Sequence, residues 1–209
     1  MEKLHRSALL KKGVRLEYFT VGYNVIEGFI AVAAGVVAGS IALVGFGLDS
    51  FIEVAAGTAV LWRLKRELKP RSGAAEAGHE AREKKALFIV GITFFVLALY
   101  ILLEAGYNLI TGHEAAESMP GIVLAAVSLV IMPALAFLKQ RTGRALGSRA
   151  LQADAVETWM CSYLSLVLLA GLVLNAALGW SWADPAAALA MLPLVIREGF
   201  EAIREAREE

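Results

Sequence analysis

One cysteine in 209 residues leaves no internal disulfide framework. Net charge is zero, with 20 basic and 20 acidic side chains, so nothing argues for nucleic acid or a strongly charged partner surface. There is no H-E-x-x-H motif, no G-x-S-x-G elbow and no histidine inside a long apolar run, so the chain is read as not an enzyme. Lys and Arg are absent from Leu16 to Val60. No cleavable leader is expected. The first fourteen residues are polar and basic, and the apolar run after them is long enough to span a bilayer.

What is present is apolar residue, 58% of the chain, with a mean hydropathy of +0.62. That is too high for an ordinary soluble domain and implies an all-α membrane protein. Six spans are expected, over about 16–38, 41–62, 86–110, 119–138, 151–178 and 184–204, in one transmembrane domain covering 1–209 with no C-terminal soluble domain. Ala38–Ser40 reads as a very short turn, so the first two helices form an antiparallel hairpin. Residues 63–85 and 139–149 read as basic loops, and Asp184–Pro185 as the N-cap and first position of the last helix. The loops after helices one, three and five hold no Lys or Arg. The basic residues fall as five, eight, four and three in the N-terminal segment, the second loop, the fourth loop and the C-terminal end. The positive-inside rule then puts both termini in the cytoplasm. The expected location is integral to a bacterial inner (plasma) membrane.

The stretch Gly47–Glu53, GLDSFIE, lies inside the Lys- and Arg-free region. Asp49 and Glu53 are four apart and stack on one helical face. Two carboxylates in hydrocarbon need a cation, protons or a polar partner, and a divalent metal is the simplest compensator. On helix five, Asp154, Glu157 and Cys161 share a face at spacings of three and four. At 1.5 Å per residue, Cys161 is roughly 18 Å and Glu157 roughly 12 Å above Arg149, while Glu53 is roughly 18 Å and Asp49 roughly 12 Å below Ile41. In a core about 30 Å thick, Glu53 matches Glu157 in level, and Asp49 matches Cys161. Four oxygen or sulfur donors near one level suit a transition-metal site.

Other polar residues admit two readings each. Asn24 and Glu27 lie at similar depth and either support the ligands, relay protons or hydrogen-bond between helices. Asp154 is closer to the cytoplasmic end and reads as a residue on the ion's approach or a partner for a basic loop residue, with support of the ligands or a proton relay as the alternative. Tyr100, Glu104 and Asn108 share a face near the outer side, where they line an exit path, make a dimer contact or are simply solvated. His79 with Glu76, Glu80 and Glu83 reads as a solvated charged loop, with metal binding as the alternative.

SIALVGFGLDSFIEVAAG resembles the second helix of the cation diffusion facilitator (cation efflux) family, and LQADAVETWMCSYLS resembles its fifth. Asn24 and GWSWADP at Gly179–Pro185 also fit, and the resemblance extends over roughly 15–205. It implies a metal site at Asp49, Glu53, Glu157 and Cys161, the last two replacing the family's usual fifth-helix His or Asp and Asp. It also implies a short branch without the family's C-terminal cytoplasmic domain. The implied activity is export of divalent transition metals from the cytoplasm by proton antiport, with alternating access at a mid-membrane site. The alternative is a non-transporting membrane scaffold or partner that keeps the fold with an altered site. No permanent cofactor is expected. The expected partners are divalent metal ions as substrate (Zn²⁺ first, with Co²⁺, Fe²⁺, Mn²⁺ or Cd²⁺ open), protons, the lipid bilayer and a second copy as a homodimer.

The charge asymmetry generates a direct expectation. A cysteine introduced near Glu114 is labelled by an impermeant reagent added outside intact cells. Labelling only from the cytoplasmic side would reverse the orientation.

Overall fold

The computed structural model describes residues 2–68, 76–112 and 115–208, and their side chains except for 2–5, 76–87, 89, 90, 205 and 208. Six helices follow one another: α1 (Glu2–Ala38), α2 (Ile41–Leu68), α3 (Glu76–Thr111), α4 (Met119–Leu146), α5 (Arg149–Leu178) and α6 (Ala183–Glu208). There is no strand among the described residues. The fold is the expected all-α membrane class. Among the described residues, five helices are long and apolar enough to cross a membrane. The exception is α6, which the hydropathy reading counted as a span. Asp184, Arg197, Glu198 and Glu201 interrupt its apolar stretch.

Parts of both segments read as loops are helical, as is the basic lead-in to the first span. The chain is helical from Glu2, through Arg63–Leu68, and past Lys139 to Leu146. Lys, Arg, Glu, Leu and Ala are all good helix formers, so a helix need not end where its apolar stretch ends. The α4–α5 connection is only Gly147 and Ser148. Gly147 takes the left-handed cap conformation, and the Ser148 hydroxyl accepts from the Leu151 N–H.

The closest helix pairs are α1 with α2, α3 with α6, and α4 with α5. Small residues make the first of these. A Cβ on Gly47 would stand 2.8 Å from the Val32 nitrogen, and one on Gly35 would stand 2.8 Å from the Val44 nitrogen. Such spacing lets backbones meet where lipid removes the hydrophobic drive for association. Gly91 lies against the Gly199 carbonyl, and Phe95 meets Phe200 edge to face at 4.9 Å, which joins α3 to α6. Phe46, Leu43, Met132, Leu168 and Met191 fill the common core. A second cluster of Leu10, Leu64, Leu146 and Leu151 closes the basic end of α1, α2, α4 and α5.

The α1–α2 turn explains how α2 is held. Gly39 has φ 66°, and Asp184 of α6 reaches across to the start of α2. Its Oδ2 accepts from the Ile41 N–H at 2.9 Å, and its Oδ1 accepts from the Ser40 hydroxyl. Asp184 is therefore not the N-cap of its own helix, as its place before Pro185 suggested. It lies inside the first turn of α6, is buried, and caps the helix that carries Asp49 and Glu53. Asp184→Ala should destabilise the fold by about 1–3 kcal/mol, seen as a lower thermal midpoint in detergent, because buried N–H and O–H donors lose their acceptor. An unchanged midpoint would show that this cross-helix cap carries no stability.

Candidate metal site

α2 buries Asp49 on the face that also holds Gly45, Phe46 and Ile52, while Glu53 one turn later is partly buried. From α5, Cys161 is 1% exposed. One ligand atom from each of Asp49, Glu53 and Cys161 lies within 4.8 Å of the others. Cys161 therefore reaches both acids, bringing together three of the four donors expected near one level. Two carboxylates and a thiol at this spacing can close around one metal ion. Glu157 is outside this group, half-buried one turn away on α5. It is nonetheless close enough for its charge to bear on Glu53.

Asn24 is fully buried on α1 and donates from Nδ2 to Glu53 Oε2 at 2.6 Å. Its Oδ1 has no partner among the described residues. Among those residues no hydrogen bond or ion pair reaches Asp49. Glu27, also buried, accepts from Ser50 of α2 at 3.1 Å and from Ser128 of α4, whose hydroxyl also meets Tyr23 at 2.6 Å. Glu27 thus makes the helix-to-helix hydrogen bonds that were one of its two readings. Asp154 does not join the cluster. Its Oδ2 accepts from Lys139 at 2.5 Å, so its partner is a basic residue from the segment read as a loop, and that lysine is in fact helical and buried.

Sequence reasoning passed over Glu17 and Lys139, both 0% exposed. Lys139 donates to Glu17 at 3.3 Å as well as to Asp154, and to Thr158 at 3.3 Å. The signal was periodicity. Ser128, Met132, Leu135, Lys139 and Thr142 form one buried stripe of α4, and Glu17 precedes Asn24 by two turns on α1. It also missed Glu198 of α6, whose charge bears on Asp49.

Tyr100, Glu104 and Asn108 are not brought to this cluster. They line a separate crevice of about 390 Å³ with Gly35, Ser40 and Tyr107, at the end away from the basic residues. The side chains of Glu76, His79, Glu80 and Glu83 lie outside the described residues.

A helical membrane domain with an acid and thiol cluster buried between α2 and α5 is the class these features define. The family model for the cation efflux transmembrane domain matches residues 19–209, and the chain belongs to that family. An uncharacterised transporter of Synechocystis is 27% identical over 176 residues, covering 84% of this chain and 57% of that protein. The magnetosome protein MamB of Magnetospira is 29% identical, covering 88% and 61%. The cation-efflux pump FieF of Citrobacter koseri is 28% identical, covering 79% and 56%. The chain thus spans less than two thirds of the length of these relatives.

The burial of Cys161 has a measurable consequence. Its alkylation by a maleimide in the folded protein should be at least about a hundredfold slower than in denaturing detergent, since a reaction that needs local opening is slowed by the cost of opening. Equal rates would place the thiol at an accessible surface.

Proposed function

We propose that this domain carries divalent transition-metal cations out of the cytoplasm, in exchange for protons, through a mid-membrane site that opens alternately to each side. One observation carries the reading. Asp49, Glu53 and Cys161 bring their ligand atoms within 4.8 Å of one another on two helices of a lipid-embedded bundle. Membership of the cation efflux family supports it. So does the FieF relative, which is named a cation-efflux pump. Carboxylates at such depth require compensation, and a divalent ion supplies it. In this reading Glu157 completes four donors when the ion arrives, and Asn24 fixes the orientation of Glu53. Oxygen and sulfur donors together favour Zn²⁺, with Co²⁺, Fe²⁺, Mn²⁺ and Cd²⁺ compatible.

Protons and the metal compete for the same ligand atoms. Loading from the cytoplasm displaces protons, and protons arriving from outside displace the metal. Metal affinity is therefore expected to fall as pH falls.

The test uses proteoliposomes with a pH dye inside and Zn²⁺ added on the side of the basic loops. Zinc movement should be matched by proton counterflow in the wild type. Asp49→Ala and Glu157→Ala should each lose transport while eluting as folded protein, because the remaining acids can still take up protons. Wild-type rates in both variants would place the site elsewhere. Zinc flux without proton counterflow would leave the site standing and remove the exchange.

A further inference from the structure

A second group of donors lies between the candidate metal site and the basic end of the bundle. Glu17 precedes Asn24 by seven residues on α1, Gly57 follows Glu53 by four on α2, and Asp154 precedes Cys161 by seven on α5. Each step leads toward the Leu10–Leu64–Leu146–Leu151 cluster. At 1.5 Å per residue the displacement is about 6–10 Å. There Glu17 Oε2, Asp154 Oδ2 and the Thr158 hydroxyl surround the Lys139 ammonium. Gly57 leaves the α2 wall bare, since a Cβ on it would come 3.4 Å from Glu17 Oε2 and 3.9 Å from Asp154 Oδ1.

Three observations separate this group from an ordinary structural ion pair. Two carboxyl groups face one ammonium, which can balance the charge of only one of them, whereas a divalent ion could balance both. Glu17 is 0% exposed, and its Oε1 has no partner among the described residues. A buried carboxylate oxygen left unsatisfied is costly unless something completes it. The donors are carboxylates and a hydroxyl, the hard oxygen set that holds divalent cations. Lys139 itself is held by a flexible four-carbon stem on α4, which can withdraw its charge without unfolding the helix.

We propose that Glu17, Asp154 and Thr158 form a second divalent-cation site on the cytoplasmic approach to Asp49, Glu53 and Cys161, which Lys139 occupies as a tethered substitute cation and leaves when an ion enters. This inference rests on the transport reading above for its direction, but the site is testable by binding alone. While Lys139 is in place, the way from the basic end to the candidate metal site is closed by a positive charge. An arriving ion opens it by taking over the two carboxylates.

The experiment is Co²⁺ binding to the purified full chain, read by metal analysis and by the thiolate-to-cobalt absorption band. The band reports the site containing Cys161 and is silent for an oxygen-only site. At Co²⁺ concentrations that just fill the thiolate site, wild type should bind roughly one Co²⁺ per chain, with the band, because Lys139 competes for the second site. Lys139→Gln should bind roughly two, with the band no stronger, and adding Asp154→Asn to it should return the count to roughly one. Lys139→Gln that still binds only the band-bearing ion overturns the proposal. A gained ion in Lys139→Gln with no band in either protein supports the second site and instead removes the metal reading of Cys161. Should Lys139→Gln fail to fold, Glu17→Gln keeps the Lys139–Asp154 pair and answers by flux. The half-saturating Co²⁺ concentration from the basic side should rise about fivefold or more. A value within about twofold of wild type overturns the proposal.

Discussion

The cost of placing a carboxylate inside an apolar bundle governs this structure. A deeply placed acid calls for compensation, and the acids of this bundle differ in how much of it they have. Asp184 accepts from a helix start and a hydroxyl. Glu27 accepts from two serines on neighbouring helices. Asp154 and Glu17 share one buried lysine. Glu53 has the amide of Asn24, and Asp49 has no hydrogen bond or ion pair among the described residues. The compensation is thus thinnest where a thiol and two carboxylates converge. In the transport reading proposed above this leaves the place open to a mobile charge, since permanent partners there would compete with cargo.

The same acids also explain how the helices are ordered. Lipid gives no hydrophobic reason for one helix to prefer another, so close backbone contact and interhelical hydrogen bonds decide the pairing. Gly35 and Gly47 let α1 and α2 touch, and Glu27 then ties both to Ser128 of α4. Lys139 ties α4 to α1 and α5. Asn175 of α5 donates to the Ala115 carbonyl before α4. Polar groups that read in sequence as isolated anomalies are the links between apolar helices.

Much of this was legible beforehand because membrane constraints are strict. The apolar stretches, the basic-residue pattern and the four-residue spacing of Asp49 and Glu53 are one-dimensional signals, and α2 and α5 do bring Asp49, Glu53 and Cys161 together. Three things were not legible. Helix ends do not coincide with apolar ends, so Lys139 was assigned to a loop although α4 carries it into the bundle. Capping across helices has no sequence signature, so Asp184 before Pro185 looked like a local cap. Axial rise fixes depth but not rotation, so four donors expected to meet at one level become a cluster of Asp49, Glu53 and Cys161 with Glu157 one turn away on α5.

The division of the site between helix pairs has a mechanical consequence. α2 is locked to α1 by glycine contacts, and α5 is joined to α4 by a two-residue turn and close packing, while α2 and α5 touch each other less intimately. The candidate ligand atoms therefore sit on two closely packed helix pairs, and α2 meets α5 less extensively than the helices of either pair meet each other. A shift of one pair against the other changes the spacing of Asp49 and Glu53 relative to Cys161 without breaking either pair. Packed interfaces of this kind have discrete arrangements and do not deform continuously. An ion bound between the pairs favours the arrangement that fits it, and its departure removes that preference. Lys139 bridges the same two pairs, from α4 to Glu17 on α1 and Asp154 on α5. Any relative movement of the pairs must stretch or relax this bridge. In the transport reading proposed above, the lysine couples the state of the ion's approach to the spacing of the three groups that hold the ion.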